Sequence, residues 1–338
     1  MSAWTAFFPD PMHFAIVTSM LFAMLSLAAI LSLFLRRRRD ERREVAEANA
    51  DRDLSRQLLA IRAPIDRHAV RVMAVTAGQA RLERLFSQLL QLVRGEDRIL
   101  LLAIAEAMGV PDAALMQLKH RRAAKRIDAM RVLERFGSEK VIGAIRGSMV
   151  EDPDLAVRTE AAATLVRLER TPHPASVVEA LDLLRRPPTP VHAAIFRAAA
   201  PASGADIAAM ALEMNPGPLR SRLIESLGWS DDFTVLPVLA HFALNEDAEA
   251  RIAALKAARQ LGHPAVRVWV VPLLLDKVDT VRAQAARTCG QLGLTDAIPI
   301  LSNLVKNASW WVRTRAAEAL AQLRPHQPAP FSVTGLRK

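Results

Sequence analysis

A basic residue followed by one fixed set of apolar positions returns along most of this 338-residue chain. The plainest copies are DLAVRTEAAATLVRLE around Arg158, AEARIAALKAARQLG around Arg251, DTVRAQAARTCGQLG around Arg282 and WWVRTRAAEALAQL around Arg313. Weaker copies surround Arg126, Arg220 and His192, which stands in the arginine place, and fainter ones surround Arg67 and Arg98. The steps run from 28 to 34 residues and settle at 31 between Arg220, Arg251, Arg282 and Arg313. A period of this length is the mark of a stacked repeat architecture.

Each copy has the same internal logic. With the residue before the arginine as position zero, positions 0, 4, 5, 8 and 11 are apolar in the clearest copies, as in Val281, Ala285, Ala286, Cys289 and Leu292. That spacing is one buried face of a helix. Gly262 and Gly293 follow two of the copies, where a helix end can turn at positive φ. A second amphipathic segment comes next: DDFTVLPVLAHFAL, PAVRVWVVPLLLD or DAIPILSNLVK. Each repeat is therefore a helix pair. One pair cannot bury its apolar face, but a stack can.

The Asp-x-x-Val-Arg-x-x-Ala-Ala-x-x-Leu-type stretches resemble the HEAT repeat, in its short form named after phycobilin-lyase HEAT-like repeats. The resemblance is strongest from Ala248 to Leu323. It implies an all-α fold, a right-handed α-solenoid of about eight to nine helix pairs over residues 66–323. It also implies that the recurring Arg158, Arg251, Arg282 and Arg313, with Asp154, Asp247 and Asp279 nearby, form a structural ladder between neighbouring helices.

Residues 14–35 (FAIVTSMLFAMLSLAAILSLFL) carry no charge. As a helix they would measure roughly 33 Å at about 1.5 Å per residue, enough to cross a hydrocarbon core of about 30 Å. Trp4, Phe7 and Phe8 precede them and suit an interface. Arg36, Arg37, Arg38, Arg39, Arg42 and Arg43 follow. A cleaved signal peptide would carry its basic flank on the other side. The expectation is a single transmembrane anchor with residues 1–13 outside and the rest in the cytoplasm, at the inner membrane of a bacterium. Residues 36–65 then read as a charged helical stalk whose arginines meet anionic lipid headgroups. Residues 324–338 read as a flexible, Pro-containing tail.

Nothing in the sequence calls for catalysis, a cofactor or a small-molecule substrate. Some HEAT-like proteins are enzymes, and one branch holds iron through His-Glu steps. No His-Glu pair occurs here, since His192, His241 and His263 precede Ala, Phe and Pro. The chromophore-lyase branch is an alternative that a membrane anchor disfavours. The lone Cys289 occupies a core position. A net charge of +10 admits nucleic acid, but no aromatic interleaving or DNA-binding motif accompanies it.

Positions 3, 6 and 10 of the Arg-bearing helices share the face opposite the core. They hold Glu160 and Arg167, Arg197, then Arg222, Glu225 and Trp229, then Lys256 and Gln260. Gln284, Arg287 and Gln291 follow, then Arg315, Glu318 and Gln322. Basic groups outnumber acidic ones six to three on this stripe, which suits an acidic segment of a protein partner. Arg197, Arg222, Trp229, Lys256, Arg287 and Arg315 are the candidate partner-binding residues, with Trp310 and Trp311 at the start of the last repeat. A further basic cluster runs from Lys119 to Arg126. The chain reads as a membrane-anchored, cytoplasm-facing adaptor whose partner is itself at the membrane, and nucleic acid is not expected.

Overall fold

The computed structural model describes residues 11–61, 65–307 and 309–323. Trp4, Phe7, Phe8, Asp10 and the 324–338 tail lie outside the described residues. Among those described, every regular element is helical. The chain divides into two compact units after Val110.

The first unit holds α1 (Pro11–Ala60), α2 (Arg67–Ala77), α3 (Gln79–Leu92) and α4 (Gly95–Ala107). Pro11 stands at the start of α1, where its missing N–H is no loss, and no Pro or Gly follows to break the remaining turns. Ser19 to Leu35 are exposed on every side of the helix. Phe22 is 70% and Leu27 67% exposed. The apolar stretch has a mean hydropathy of 2.2, and none of it is buried. By length and composition it can cross a membrane. The same helix continues through Arg36 into the charged stretch. Near its end Leu54 and Leu58 are buried, and α1 packs on α3 and α4. Arg81 pairs with Asp51 and donates to the Glu47 carbonyl at 2.9 Å. Leu82, Phe86, Leu101 and Ile104 complete this core. Arg67 and Arg98 are exposed, so these two faint copies keep only part of the apolar pattern and lack the buried arginine.

The second unit begins with α5 (Val110–Gln117), α6 (Ala123–Leu133), α7 (Glu139–Glu151), α8 (Leu155–Arg167), α9 (Pro174–Ala180) and α10 (Pro190–Glu213). It continues with α11 (Pro218–Ser226), α12 (Leu236–Ala243), α13 (Ala248–Leu261), α14 (Arg267–Val270), α15 (Asp279–Gln291), α16 (Ile298–Leu304) and α17 (Trp310–Leu323). The Arg-bearing helices form one row in which each packs on the next: α6, α8, α10, α11, α13, α15, α17. The other helix of each pair lies against the following member, as α7 does on α8, α12 on α13 and α16 on α17. This is an α-solenoid. Val281, Ala285, Ala286 and Cys289 are each 0% exposed, as the apolar spacing requires. Gly262 and Gly293 take φ of 67° and 68° at the ends of α13 and α15, a conformation that strains any residue with a Cβ.

Alanine and glycine let the row close up. Ala254, Ala257 and Ala258 of α13 are all fully buried. A Cβ on Gly228 would lie 2.7 Å from the Ala257 carbonyl oxygen, and one on Gly290 would lie 2.8 Å from the Ala319 Cα. In α10 two helices fuse: Pro201 interrupts the hydrogen-bond ladder, and Ser203 leaves helical geometry at φ −130° and ψ 27°. The chain bends there rather than breaking, so one element supplies both members of a pair.

His192 takes the arginine place in α10. It is 5% exposed, and its Nδ1 accepts from the Thr189 N–H at 3.0 Å. Burial holds its pKa below the ordinary histidine value. A depressed folded pKa means that protonation favours the unfolded chain. This contribution to stability is full above about pH 6.5 and is lost as pH falls below it. The urea midpoint is expected to drop between pH 7 and 5, and His192→Gln should flatten part of that drop. Identical slopes for the two proteins would contradict the assignment.

Candidate protein-docking face

The recurring arginines reach inward along the loops between repeats. In each of six copies the guanidinium Nη1 donates to the carbonyl six residues earlier. Arg126 donates to His120 at 2.8 Å, Arg158 to Asp152 at 2.7 Å and Arg220 to Met214 at 3.5 Å. Arg251 donates to Asn245 at 2.8 Å, Arg282 to Asp276 at 2.7 Å and Arg313 to Asn307 at 2.8 Å. Three of them also pair with an aspartate of the next repeat. Arg126 makes two 2.7 Å bonds to Asp152, Arg220 lies 2.8 Å from Asp247, and Arg251 lies 2.7 Å from Asp276.

Asp152 and Asp276 each serve three groups. The carboxylate takes the arginine of the preceding repeat and caps the N–H two residues on, at 2.9 Å for Asp154 and 2.8 Å for Val278. Their carbonyls take the arginine of their own repeat. Through these two aspartates the ladder crosses a repeat boundary at Arg126–Asp152–Arg158 and at Arg251–Asp276–Arg282.

Its partners differ from the nearest aspartates in sequence. Asp154 caps α8 through the N–H groups of Ala156 and Val157, and Arg158 instead donates to the Ala180 carbonyl at 2.6 Å. Asp247 belongs to Arg220. Arg282 does pair with Asp279, in the same turn. Arg126 belongs to this buried ladder and not to the Lys119–Arg126 surface cluster. Its hydrogen bond to Asp152 raises its pKa against the cost of burial. The rest of that cluster, Lys119, His120, Arg121, Arg122 and Lys125, is exposed.

On the opposite side of the row the stripe residues mostly find each other. Arg167 lies 2.8 Å from both Glu134 and Glu160. Arg222 is 3.2 Å and Lys256 3.5 Å from Glu225. Arg315 is 2.6 Å from Glu318. Arg197 lies 5.1 Å above the Trp229 ring, so this half-buried tryptophan already has one face covered by a cation. Arg287 is exposed, and no carboxylate lies within ion-pair distance of it among the described residues. Trp310 and Trp311 stand at the start of α17, 58% and 59% exposed, with their rings edge to face at 4.7 Å. On α1, Arg36 to Arg39 and Arg42 are exposed; Arg37 pairs with Glu41 at 3.2 Å and Arg38 stacks 4.8 Å from Phe34. The Arg43 side chain lies outside the described residues.

Arg259 was not on the stripe, because it falls at position 9. It joins the face by donating to the Gln291 side chain at 3.1 Å. The signal for it is the period itself: Arg259 falls 31 residues after Gly228 and 31 before Gly290, where the neighbouring repeats keep no side chain.

Among the described residues no group of three or more His, Cys, Asp or Glu side chains is placed to hold a metal ion. Cys289 is fully buried, and burial pushes its thiol up to about 12. The thiolate is the reactive form. Ellman's reagent should therefore leave Cys289 untouched in the native protein and modify it once urea unfolds the chain; fast native labelling would contradict its burial.

The HEAT-repeat profile matches residues 207–286 and 269–333. No curated protein matches the chain. Similar solved structures include Escherichia coli YibA, 16% identical over 77% of this chain and 98% of that one, with a TM-score of 0.39. Human deoxyhypusine hydroxylase in complex with glycerol is 16% identical over 83% and 98%, with a TM-score of 0.33. Kap121p bound to Pho4p is 15% identical over 80% and 41%, with a TM-score of 0.31. At these scores they do not say what the chain does. By sequence, residues 207–333 match HEAT repeats, and the described residues form an all-helical α-solenoid.

Proposed function

We propose that this chain is a membrane-anchored adaptor, built on short HEAT-like repeats, that holds a protein partner on the exposed face of its Arg-bearing helix row. The observation that carries the reading is α1. Its apolar half is exposed on all sides and runs without interruption into a helix bearing four consecutive arginines. A core helix would be covered, and lipid is the cover that suits a stretch of this length and composition. The arginines then lie at the cytoplasmic headgroups and put the repeats on that side. The ladder binds the repeats to one another and leaves the opposite face open across several of them, which is how stacked repeats present a long binding surface. A tethered adaptor suits a partner at the same membrane, such as a polysaccharide-synthesis or secretion complex of a bacterial inner membrane.

The test is topology. The full chain is expected to stay with membranes through alkaline carbonate, and deletion of residues 1–35 should release it. A reporter active only outside the cytoplasm, fused after Lys338, should stay silent. Activity of that reporter, or a mature protein beginning beyond residue 35, would overturn the anchor.

A further inference from the structure

Most cations on the face of the helix row sit in ion pairs, and Arg197 instead covers the Trp229 ring. Arg167, Arg222, Lys256 and Arg315 each have a carboxylate within ion-pair distance. Arg259 and Arg287 have none among the described residues. They stand on α13 and α15, which pack directly on each other. Arg259 is half-buried, its Nε is shut away from solvent without a hydrogen-bond partner, and its Nη1 donates to a neutral amide, Gln291, at 3.1 Å. The two cations act on each other. Burial and the nearby Arg287 both depress the Arg259 pKa, and Glu225 opposes them only in part. The stack does not require an arginine here, since the same position is glycine in the repeats on either side. Two neighbouring cations with no carboxylate within ion-pair distance form a receptor for one.

We propose that Arg259 and Arg287 together receive a carboxylate side chain from an acidic, extended segment of the protein partner. The inference rests on the protein-binding reading above and names the chemistry of that contact. A guanidinium pair matches the planar, two-oxygen geometry of Asp or Glu. Glu225 lies on one side of the pair and Glu318 in the next repeat on the other. Both are already held by their own cations, so the uncompensated charge on this face is confined to the one pair, which suits a single carboxylate of a spaced acidic segment rather than a continuous polyphosphate backbone. Gln260, Gln291 and Gln322, all exposed, offer amide donors and acceptors beside the site.

The experiment uses the full chain in lipid nanodiscs and a fluorescent peptide of alternating Glu and Gly, read by anisotropy. Saturable binding is expected, with a Gln/Gly peptide of the same length failing to bind. R259Q/R287Q should weaken binding at least about tenfold, and R259K/R287K should recover only part of it, through charge alone. R287Q by itself should leave Tm unchanged or raised, because it removes a repulsion present in the unliganded protein. Absence of peptide binding by the wild-type chain overturns the inference. So do equal binding in R259Q/R287Q, tighter binding of a single-stranded oligonucleotide, and a lower Tm for R287Q, which would make Arg287 structural. Should the peptide fail while the anchored protein still recovers a partner, this inference falls and the adaptor reading stands.

Discussion

Asp276→Ala is expected to lower the stability of the repeat stack by about 3–5 kcal/mol, the usual cost of leaving a buried charge without its partner. The side chains of Arg251 and Asp276 are 6% and 8% exposed. Removing the carboxylate strands the Arg251 guanidinium and uncaps the Val278 N–H, while the Asp276 carbonyl still holds Arg282. Arg251→Ala should cost a comparable amount from the other side. The double change Arg251→Met with Asp276→Leu should recover much of the loss, because an apolar pair of similar volume avoids the desolvation that an ion pair must offset. Urea or thermal unfolding followed by circular dichroism reads all three. A single change that costs under about 1 kcal/mol would show that the pair behaves as a surface bridge.

Gly290→Ala is expected to destabilise by about 1–3 kcal/mol, although alanine is the better helix former. The added Cβ would meet the Ala319 Cα at 2.8 Å and the Ala319 Cβ at 3.0 Å, so α15 and α17 must move apart. Gly228→Ala meets the Ala257 backbone in the same way. Gly143 and Gly147 of α7 have open space where a Cβ would go. Alanine at either should stabilise by about 0.5–1 kcal/mol, the ordinary helix-interior gain. The opposite signs at four glycines test the close packing of the row; a gain at Gly290 would mean that the helices stand further apart than described here.

The helix pairs are legible in the sequence because burial imposes a period on it. Val281, Ala285, Ala286 and Cys289 had to face inward together, and they do. The turns at Gly262 and Gly293 follow from the same register, since only glycine takes positive φ without strain. The ladder is half legible. That the arginines bond between helices is what the HEAT resemblance implies, but Asp152, Asp247 and Asp276 lie 25 to 27 residues after the arginines they serve. No local spacing shows that link. Arg126 therefore passes for one more surface cation in Lys119–Arg126. The fusion of two helices in α10 is hidden for a different reason: a proline normally marks an end, and here packing on α8 and α11 holds the bent helix together. On the docking face the stripe was countable, but its electrostatics were not. Glu225 serves two cations, Arg197 covers Trp229, and Arg259 enters from a position outside the stripe. All three facts depend on how neighbouring helices are set side by side.

The central claim is that a protein partner docks on this face at the membrane. The direct measurement is recovery of the chemically crosslinked full-length chain from membranes, as wild type and as the variant with Arg222, Lys256, Arg287 and Arg315 all changed to Glu. None of the four lies on the apolar face, so the variant should fold and reach the membrane. In the wild type, crosslinks to one partner should fall along α11, α13, α15 and α17, and the variant should lose them, because like charges then face each other across the whole interface. If the folded, membrane-bound variant recovers the same partner in the same yield, the partner does not dock here.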